Sequence, residues 1–427
     1  MLRVIVRSQR GSVSIFKCEL PLICGKARRL EENIREYYIM IVSGTLTMLS
    51  GGFVMPIFAP YVRGEFTAPI QLVGLAVSGY FLLRMFSEFP IGVLGDRVGP
   101  KVPLVAGRLL SLVGSFICYK TGNIWALIFA RVLWGGGDAS FFCIGMSYVS
   151  RLFRSERRGR ALGFFQAVEL LGNLTGQTTG GFVAANYGPR TNFLVCTGLS
   201  LVTLASVMFI KGSQVPAGSG SKPGLMPTRA EMIQVLNKTV LTVCLINLCC
   251  MIINNGLLGT VMPIYATEEL MIPIASYALL FSSSTVGSVS GNLIGGFMSD
   301  KVGRRRMLAV GLVIGAFAVF GLSLFKAFIP LMGVMLLKGI FWGIVYSVMP
   351  AFISDTVPDQ LQGTGIGTYR TFMDIGGLVG PVVMSNLVDI MGYPQGYMYS
   401  FYFSTAICIG CLTLLAALRD CSQQLSD

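Results

Sequence analysis

Residues 92–101 read GVLGDRVGPK and residues 296–306 read GFMSDKVGRRR, two charged turns between flanks that are almost wholly apolar. Setting Asp96 on Asp300 brings Gly92 onto Gly296 and Gly99 onto Gly303, a shift of 204 residues in a chain of 427. One unusual turn repeated half a chain later points to a duplicated architecture. Glycine at 99 and 303 suits a tight reversal, because the backbone there reaches conformations that a side chain hinders. Glycine at 92 allows a neighbouring helix to come close.

The flanks decide the class. The chain is 53% hydrophobic and 12% charged, with a mean hydropathy of +0.69. A soluble domain carries roughly a quarter charged residues and could not cover its surface with so few. About 20 mostly apolar residues cross a bilayer as a helix. Such runs occur at 37–60, 71–94, 102–119, 124–147, 161–184, 191–210, 240–262, 275–298, 307–325, 329–353, 365–388 and 397–417. Lipid offers the backbone no hydrogen bonds, and the runs are too long and uniform for barrel strands. The expected fold is an all-α membrane protein with twelve transmembrane helices.

Basic residues orient it. Of the 33 Lys and Arg, 24 fall on the side of the N-terminus and only Arg63, Lys120, Arg190 and Lys326 on the other. By the positive-inside bias both termini are cytoplasmic, in a multi-pass protein of the cell membrane. The +13 net charge then belongs to the inner membrane face, and no nucleic-acid partner is expected. With no histidine, and the cysteines mostly inside spans, no metal site is expected. Nor does a nucleophile-and-base constellation appear, so the chain does not read as an enzyme.

Residues 211–238, KGSQVPAGSGSKPGLMPTRAEMIQVLNK, form the longest loop between spans. Its Gly, Ser and Pro mark a flexible linker, with a short amphipathic helix expected from Thr228. The expected divisions are a cytoplasmic extension (1–36), a first bundle (37–210), a linker (211–239), a second bundle (240–418) and a cytoplasmic tail (419–427). The extension carries no small-residue cleavage site and reads either as an inner-face amphipathic helix or as the product of a misassigned start codon. The bundles repeat beyond the turns: GGFVMPIFA (51–59) parallels LGTVMPIYA (258–266), shifted by 207. RGRALGFFQAVELLGNLTG in span five parallels QGTGIGTYRTFMDIGGLVG in span eleven, shifted by 204. Two pseudo-symmetric six-helix bundles in parallel orientation follow.

With these motifs in place, the chain resembles the major facilitator superfamily over residues 37–418. The signature turn of that family stands here as Gly92, Gly95, Asp96, Arg97, Gly99 and Lys101, with Pro100 where a first basic residue is commoner. The second copy is Gly296, Ser299, Asp300, Lys301, Gly303, Arg304 and Arg305. Asp96 falls at a helix C-terminus, where the dipole disfavours an anion. The resemblance implies that it contacts a neighbouring helix N-terminus or an Arg, latching the halves when the cytoplasmic side is closed.

Ionisable residues inside spans are Arg84 and Glu88 (span two), Arg131 and Asp138 (four), Glu169 (five), Lys338 (ten), and Arg370 and Asp374 (eleven). A charge near the bilayer centre costs at least ~2.5–3.5 kcal/mol, so such residues face a cavity or one another. Spacings of four (84/88, 370/374) and seven (131/138) put partners on one helix face. Internal pairing and a direct role in transport both remain open for 84/88 and 370/374. LIFARVLWGGGD resembles the helix-four motif of the proton-coupled branch through Leu127, Arg131 and Gly135, with Trp134 where Gln is usual. That resemblance implies a coupling role for Arg131, with Lys338 its counterpart in the second half. Glu169 has no cation one turn away on its own helix. A carboxylate there loses solvation of its charged form and suits proton uptake and release, as does Asp138.

GNLTGQTTGG (172–181) resembles the antiporter motif found in drug exporters, through Gly172, Gly176, Gly180 and Gly181. Gln177 replaces its Pro, while span eleven has Pro381 after Gly376 and Gly380; helix packing alone also explains the glycines. By resemblance to the drug:proton antiporter-like branch, the expectation is proton-coupled export of a small organic solute by alternating access. The energy source would be the proton gradient, with no cofactor and a monomer as the working form. Uptake of an organic anion drawn to Arg84, Arg131, Lys338 and Arg370, or a sensor that transports nothing, are the alternatives. By analogy Arg131, Asp138, Asn254, Asn255, Lys338 and Tyr346 face the cargo. Glu88, Glu169 and Asp374, at the gating interface, are the protonation candidates.

Overall fold

The computed structural model describes residues 20–153, 155–210, 235–358 and 361–418. The expectations for residues 1–19, for the linker over 211–234 and for the tail at 419–427 lie outside them. Every expected span falls on a helix. These are α1 (Leu20–Val54), α2 (Ile70–Val98), α3 (Lys101–Lys120), α4 (Ile124–Leu152), α5 (Ser155–Tyr187) and α6 (Pro189–Met208). The later six are α7 (Lys238–Glu269), α8 (Ile274–Val302), α9 (Arg304–Leu324), α10 (Phe328–Thr356), α11 (Gln362–Met391) and α12 (Gln395–Ala416).

Local chemistry sets the ends. Asn123 and Asn237 cap α4 and α7, their side chains accepting from Trp125 N (2.8 Å) and Val240 N (2.9 Å). Pro69 and Pro273 precede α2 and α8. Gly99 (φ 85°) and Gly303 (φ 97°) end those helices in the left-handed region, as the charged turns predict. Gly188 and Gly392 also take positive φ, again 204 residues apart.

The repeated VMPI stretches behave differently. In the first half the helix breaks after Val54 and resumes as a two-turn helix, Phe58–Glu65, since Pro56 lacks the N–H that would continue α1. In the second half the chain stays helical but widens into π-helix at Ile252–Val261 and Tyr265–Glu269, on either side of Pro263.

The first six helices pack on one another, as do the last six; α2 with α11 and α5 with α8 join the two groups. Glycines set the closest approaches. Gly172 of α5 lies against Thr45 O of α1, and Gly376 of α11 lies against Leu248 O of α7. Large side chains such as Phe317, Leu293 and Phe297 are exposed, as a lipid-facing surface requires. Among the described residues ten helices are long and apolar enough to cross a membrane by composition alone. The other two long helices, α5 and α8, are diluted by Gly, Ser and Thr and pack on each other, so part of their surface faces protein.

Candidate functional site

The connections at 54–70, 187–189 and 269–274 lie at one end of the bundle, called outer here after the charge bias. Contacts between the two helix groups gather toward that end. Gln177 Oε1 accepts from Thr285 Oγ1 (2.6 Å), Thr178 and Ser282 hydroxyls meet at 2.8 Å, and Gly181 abuts Ala278. Ser78 Oγ donates to Leu378 O (2.6 Å), and Phe81 packs on Gly377. Arg63 Nε donates to Glu268 Oε1 (3.2 Å) and its guanidinium lies over Tyr393 (5.4 Å). At the opposite ends of α5 and α11, Gly163 and Gly367 have nothing within 4 Å of an added Cβ. The molecule is closed at the outer end. Gln177, standing where the antiporter motif has Pro, is one of the groups that close it.

At the foot of this closure lies an ion cluster spanning both groups. Arg84 Nε is 3.2 Å from Glu88 Oε1 and 3.1 Å from Asp374 Oδ1, the hydrogen bond going to Glu88. All three are buried, and the guanidinium also lies over Phe142 (4.7 Å). Arg84 stands 14 residues into α2, about 21 Å from its outer end. The Arg84–Glu88 pairing is as the spacing suggests. The Arg370–Asp374 pairing is not: Asp374 turns to Arg84, and Arg370 donates to Phe142 O (3.3 Å) on α4. A partner on a facing helix wins because α11 presents Asp374 to α2.

The pairing of Arg131 with Asp138 is likewise overturned. Asp138 accepts from Arg108 Nη2 (3.0 Å), Ser111 Oγ (2.9 Å) and Tyr80 OH (2.8 Å), and Arg108 also reaches Thr47 Oγ1 (2.9 Å). This network pins α1, α2, α3 and α4 together inside the first group. Arg108 is 2% exposed. Spacing gave no sign of this role, since no acid lies one turn from Arg108 on its own helix. Arg131 is instead enclosed by Phe58 (4.5 Å), Tyr80 (4.7 Å) and Trp134 (5.4 Å). Seven residues on one face brought the two charges near, but aromatic rings and α3 supplied better partners.

Elsewhere in the spans, Lys338 Nζ donates to Asn254 Oδ1 (2.7 Å), joining α10 to the π-helical part of α7. Asn255 is buried in α7, its backbone carbonyl accepting from Thr260 Oγ1 (3.0 Å), and does not join Lys338. Tyr346 is exposed beside Trp342. Glu169 lies over Gly44 and near Phe141 and forms no ion pair among the described residues.

The charged turns divide. Gly92 sits against Cys143 of α4, as close approach predicts, whereas Gly296 faces open space. The side chains of Asp96 and Arg97 lie outside the described part. Lys101 opens α3. Asp300 pairs with Arg304 (2.5 Å), which also reaches Asp355 (2.9 Å), so this copy braces α8, α9 and α10 inside one group. Lys301 lies over Phe297 (4.2 Å), and Arg305 caps α12 at Leu415 O and Ala416 O.

A sequence profile described as Major Facilitator Superfamily matches residues 40–252 and 244–424. An uncharacterized MFS-type transporter of Methanocaldococcus jannaschii is 23% identical over 394 residues, covering 92% of this chain and 100% of its own. The multi-drug resistance efflux pump PmrA of Streptococcus pneumoniae is 26% identical over 385 residues, 86% of this chain and 90% of its own. Among solved structures, the nucleoside transporter NupG superimposes with a TM-score of 0.75 at 10% identity, covering 90% of this chain and 99% of its own. A bacterial homologue of the human lysosomal transporter Spinster, inward-facing and unoccupied, gives a TM-score of 0.75 at 13% identity, covering 90% and 96%.

Proposed function

Since the chain belongs to the Major Facilitator Superfamily and is a multi-pass membrane transporter, we propose that it exports a small organic solute in exchange for protons, by alternating access. The cluster of Arg84, Glu88 and Asp374 carries this reading. Two buried carboxylates share one guanidinium across the helix groups. With both ionised, Arg84 ties α2 to α11 and holds the outer end closed. A proton on Asp374 removes that tie and leaves Arg84 to Glu88, so protonation state and closure are linked. Glu169 is the second proton site. The closed outer end corresponds to an inward-facing carrier, with both termini cytoplasmic in the cell membrane. The carrier works as a monomer without a cofactor. Resemblance to efflux pumps such as PmrA supports export over uptake.

Purified protein in liposomes holding a pH-sensitive dye tests this. Cargo screened from both sides is expected to move protons in the opposite direction, and Asp374→Asn is expected to uncouple the two. Proton movement in the same direction as cargo sinks the exchange reading. Cargo flux without protons, unchanged in both Asp374→Asn and Glu169→Gln, removes proton coupling altogether. A second reading, uptake of an organic anion, is favoured by the cations Arg131, Lys338 and Arg370, none of which has a carboxylate within ion-pair distance among the described residues.

A further inference from the structure

We propose that Lys338 and Asn254 form the acid-binding end of the cargo site and Trp342 and Tyr346 its apolar wall. The cargo is then an organic anion: one carboxylate, sulfonate or phosphate on a planar apolar body. This rests on the reading that the cleft between the helix groups carries cargo, and it holds for either direction of transport.

The faces of α10 place these residues. Gly339 and Gly343 lie against the Ser284 and Ser288 backbones of α8. Phe341 and Ile344 lie against Gly315 and Gly311 of α9. The remaining face carries Lys338, Trp342 and Tyr346 at successive steps of four, on the side where Lys338 meets α7. Exposure along it rises from 4% at Lys338 to 45% at Tyr346, so the stripe opens away from the closed end. The Trp342 and Tyr346 rings lie 6.0 Å apart at 36°, a surface suited to a flat apolar group. Lys338 stands ten residues into α10, about 15 Å deep, half of a hydrocarbon core about 30 Å thick.

Charge accounting selects the sign of the ligand. Arg84 is matched by Glu88 and Asp374, and Arg108 by Asp138. Arg131 has its aromatic enclosure, and Arg370 donates to the Phe142 carbonyl. Lys338 has a neutral amide. An ammonium has three donors, and only the one directed to Asn254 meets a protein acceptor among the described contacts. A buried cation held by an amide is unfavourable unless an anion joins it. If Lys338 served packing alone, an uncharged side chain would do better. The π-helical widening of α7 carries Asn254 to the ammonium, and such widenings recur at functional sites.

Naphthalene probes of one shape and different charge test the assignment: 1-naphthoate, 1-naphthalenesulfonate, 1-naphthylmethylammonium and 1-naphthalenemethanol. Binding to the full-length protein in nanodiscs is followed by tryptophan quenching, and flux is followed in liposomes. The two anions are expected to bind at least tenfold more tightly than the ammonium and the alcohol. Lys338→Met should remove roughly ten- to hundredfold of that preference while leaving the alcohol unchanged, and Lys338→Arg should keep it. Asn254→Asp puts a carboxylate beside the ammonium and should abolish anion binding in a well-folded protein. Tighter binding of the ammonium, or anion preference surviving in Lys338→Met, overturns the proposal. Lys338-dependent anion binding without flux would uphold the acid-binding site and refute the cleft as a cargo route. Flux of the ammonium in preference to both anions, unchanged in Lys338→Met, would uphold the carrier and refute the anion site.

Discussion

Replacing Glu88 by Gln and Asp374 by Asn, singly and together, tests whether one arginine serves two acids. Arg84 Nε lies 3.2 Å from Glu88 and 3.1 Å from Asp374, all three side chains being buried. At 3.1 Å and an effective dielectric of about 20, the gross attraction of unit charges is ~5 kcal/mol, most of which desolvation offsets. Either single variant leaves Arg84 a counter-charge, so each should cost only about 1 kcal/mol. The double variant leaves a buried guanidinium with none, for which ~3–5 kcal/mol is expected. Thermal unfolding in detergent should therefore show non-additivity of about 1–3 kcal/mol, relieved when Arg84→Met is added. The singles also differ in sign at the outer end. Asp374→Asn removes the tie between α2 and α11 and should favour opening by about 1–3 kcal/mol, roughly 5- to 150-fold. Glu88→Gln frees Arg84 for Asp374 and should favour closure. Thiol labelling of a cysteine placed under the outer closure reads both. A double variant that unfolds at the sum of the singles, or two singles that open the outer end alike, would refute the shared-arginine account.

Asp138→Asn should destabilise more than Glu88→Gln, by ~3–5 kcal/mol against about 1, because Arg108 has no second carboxylate among the described residues; equal melting points in detergent would contradict this. Gly172→Leu sets a Cβ 2.6 Å from Thr45 O, and overpacking of this kind costs ~1–3 kcal/mol or more. Gly51→Leu, with nothing within 4 Å, should be tolerated, and a fluorescent-fusion melting curve compares the two. Arg63 and Glu268 are partly exposed (26% and 41%), so Glu268→Gln should loosen the outer closure by no more than ~1 kcal/mol. That loosening should shrink in high salt when followed by the same thiol labelling. Gln177→Ala removes the hydrogen bond to Thr285 and should add a further ~1 kcal/mol toward opening, read by the same labelling.

Much of the fold was legible because its signals are local. Twelve apolar runs and glycines at 99 and 303 each act within a few residues, and each stands where it was expected; the Asn caps at 123 and 237 are equally local. The Arg84–Glu88 pair is local too, one turn apart on α2. The site failed where partners came from other helices. Spacing along α11 and α4 offered Arg370 to Asp374 and Arg131 to Asp138, yet Arg84 and Arg108 took those acids from facing helices. Nor could spacing show that Gln177, in the place of a Pro, hydrogen-bonds across the closure, or that Pro56 breaks its helix while Pro263 sits in a widened one. The sequence by itself determined the membrane, the helices, the repeat and the superfamily, since apolar runs and tight turns impose their conformations without help from distant residues. Only the tertiary structure decided which charges neutralise one another and which end is closed. Inside a bilayer a charge seeks the best partner within a few ångströms, and the packing of helices far apart in the chain decides which one that is.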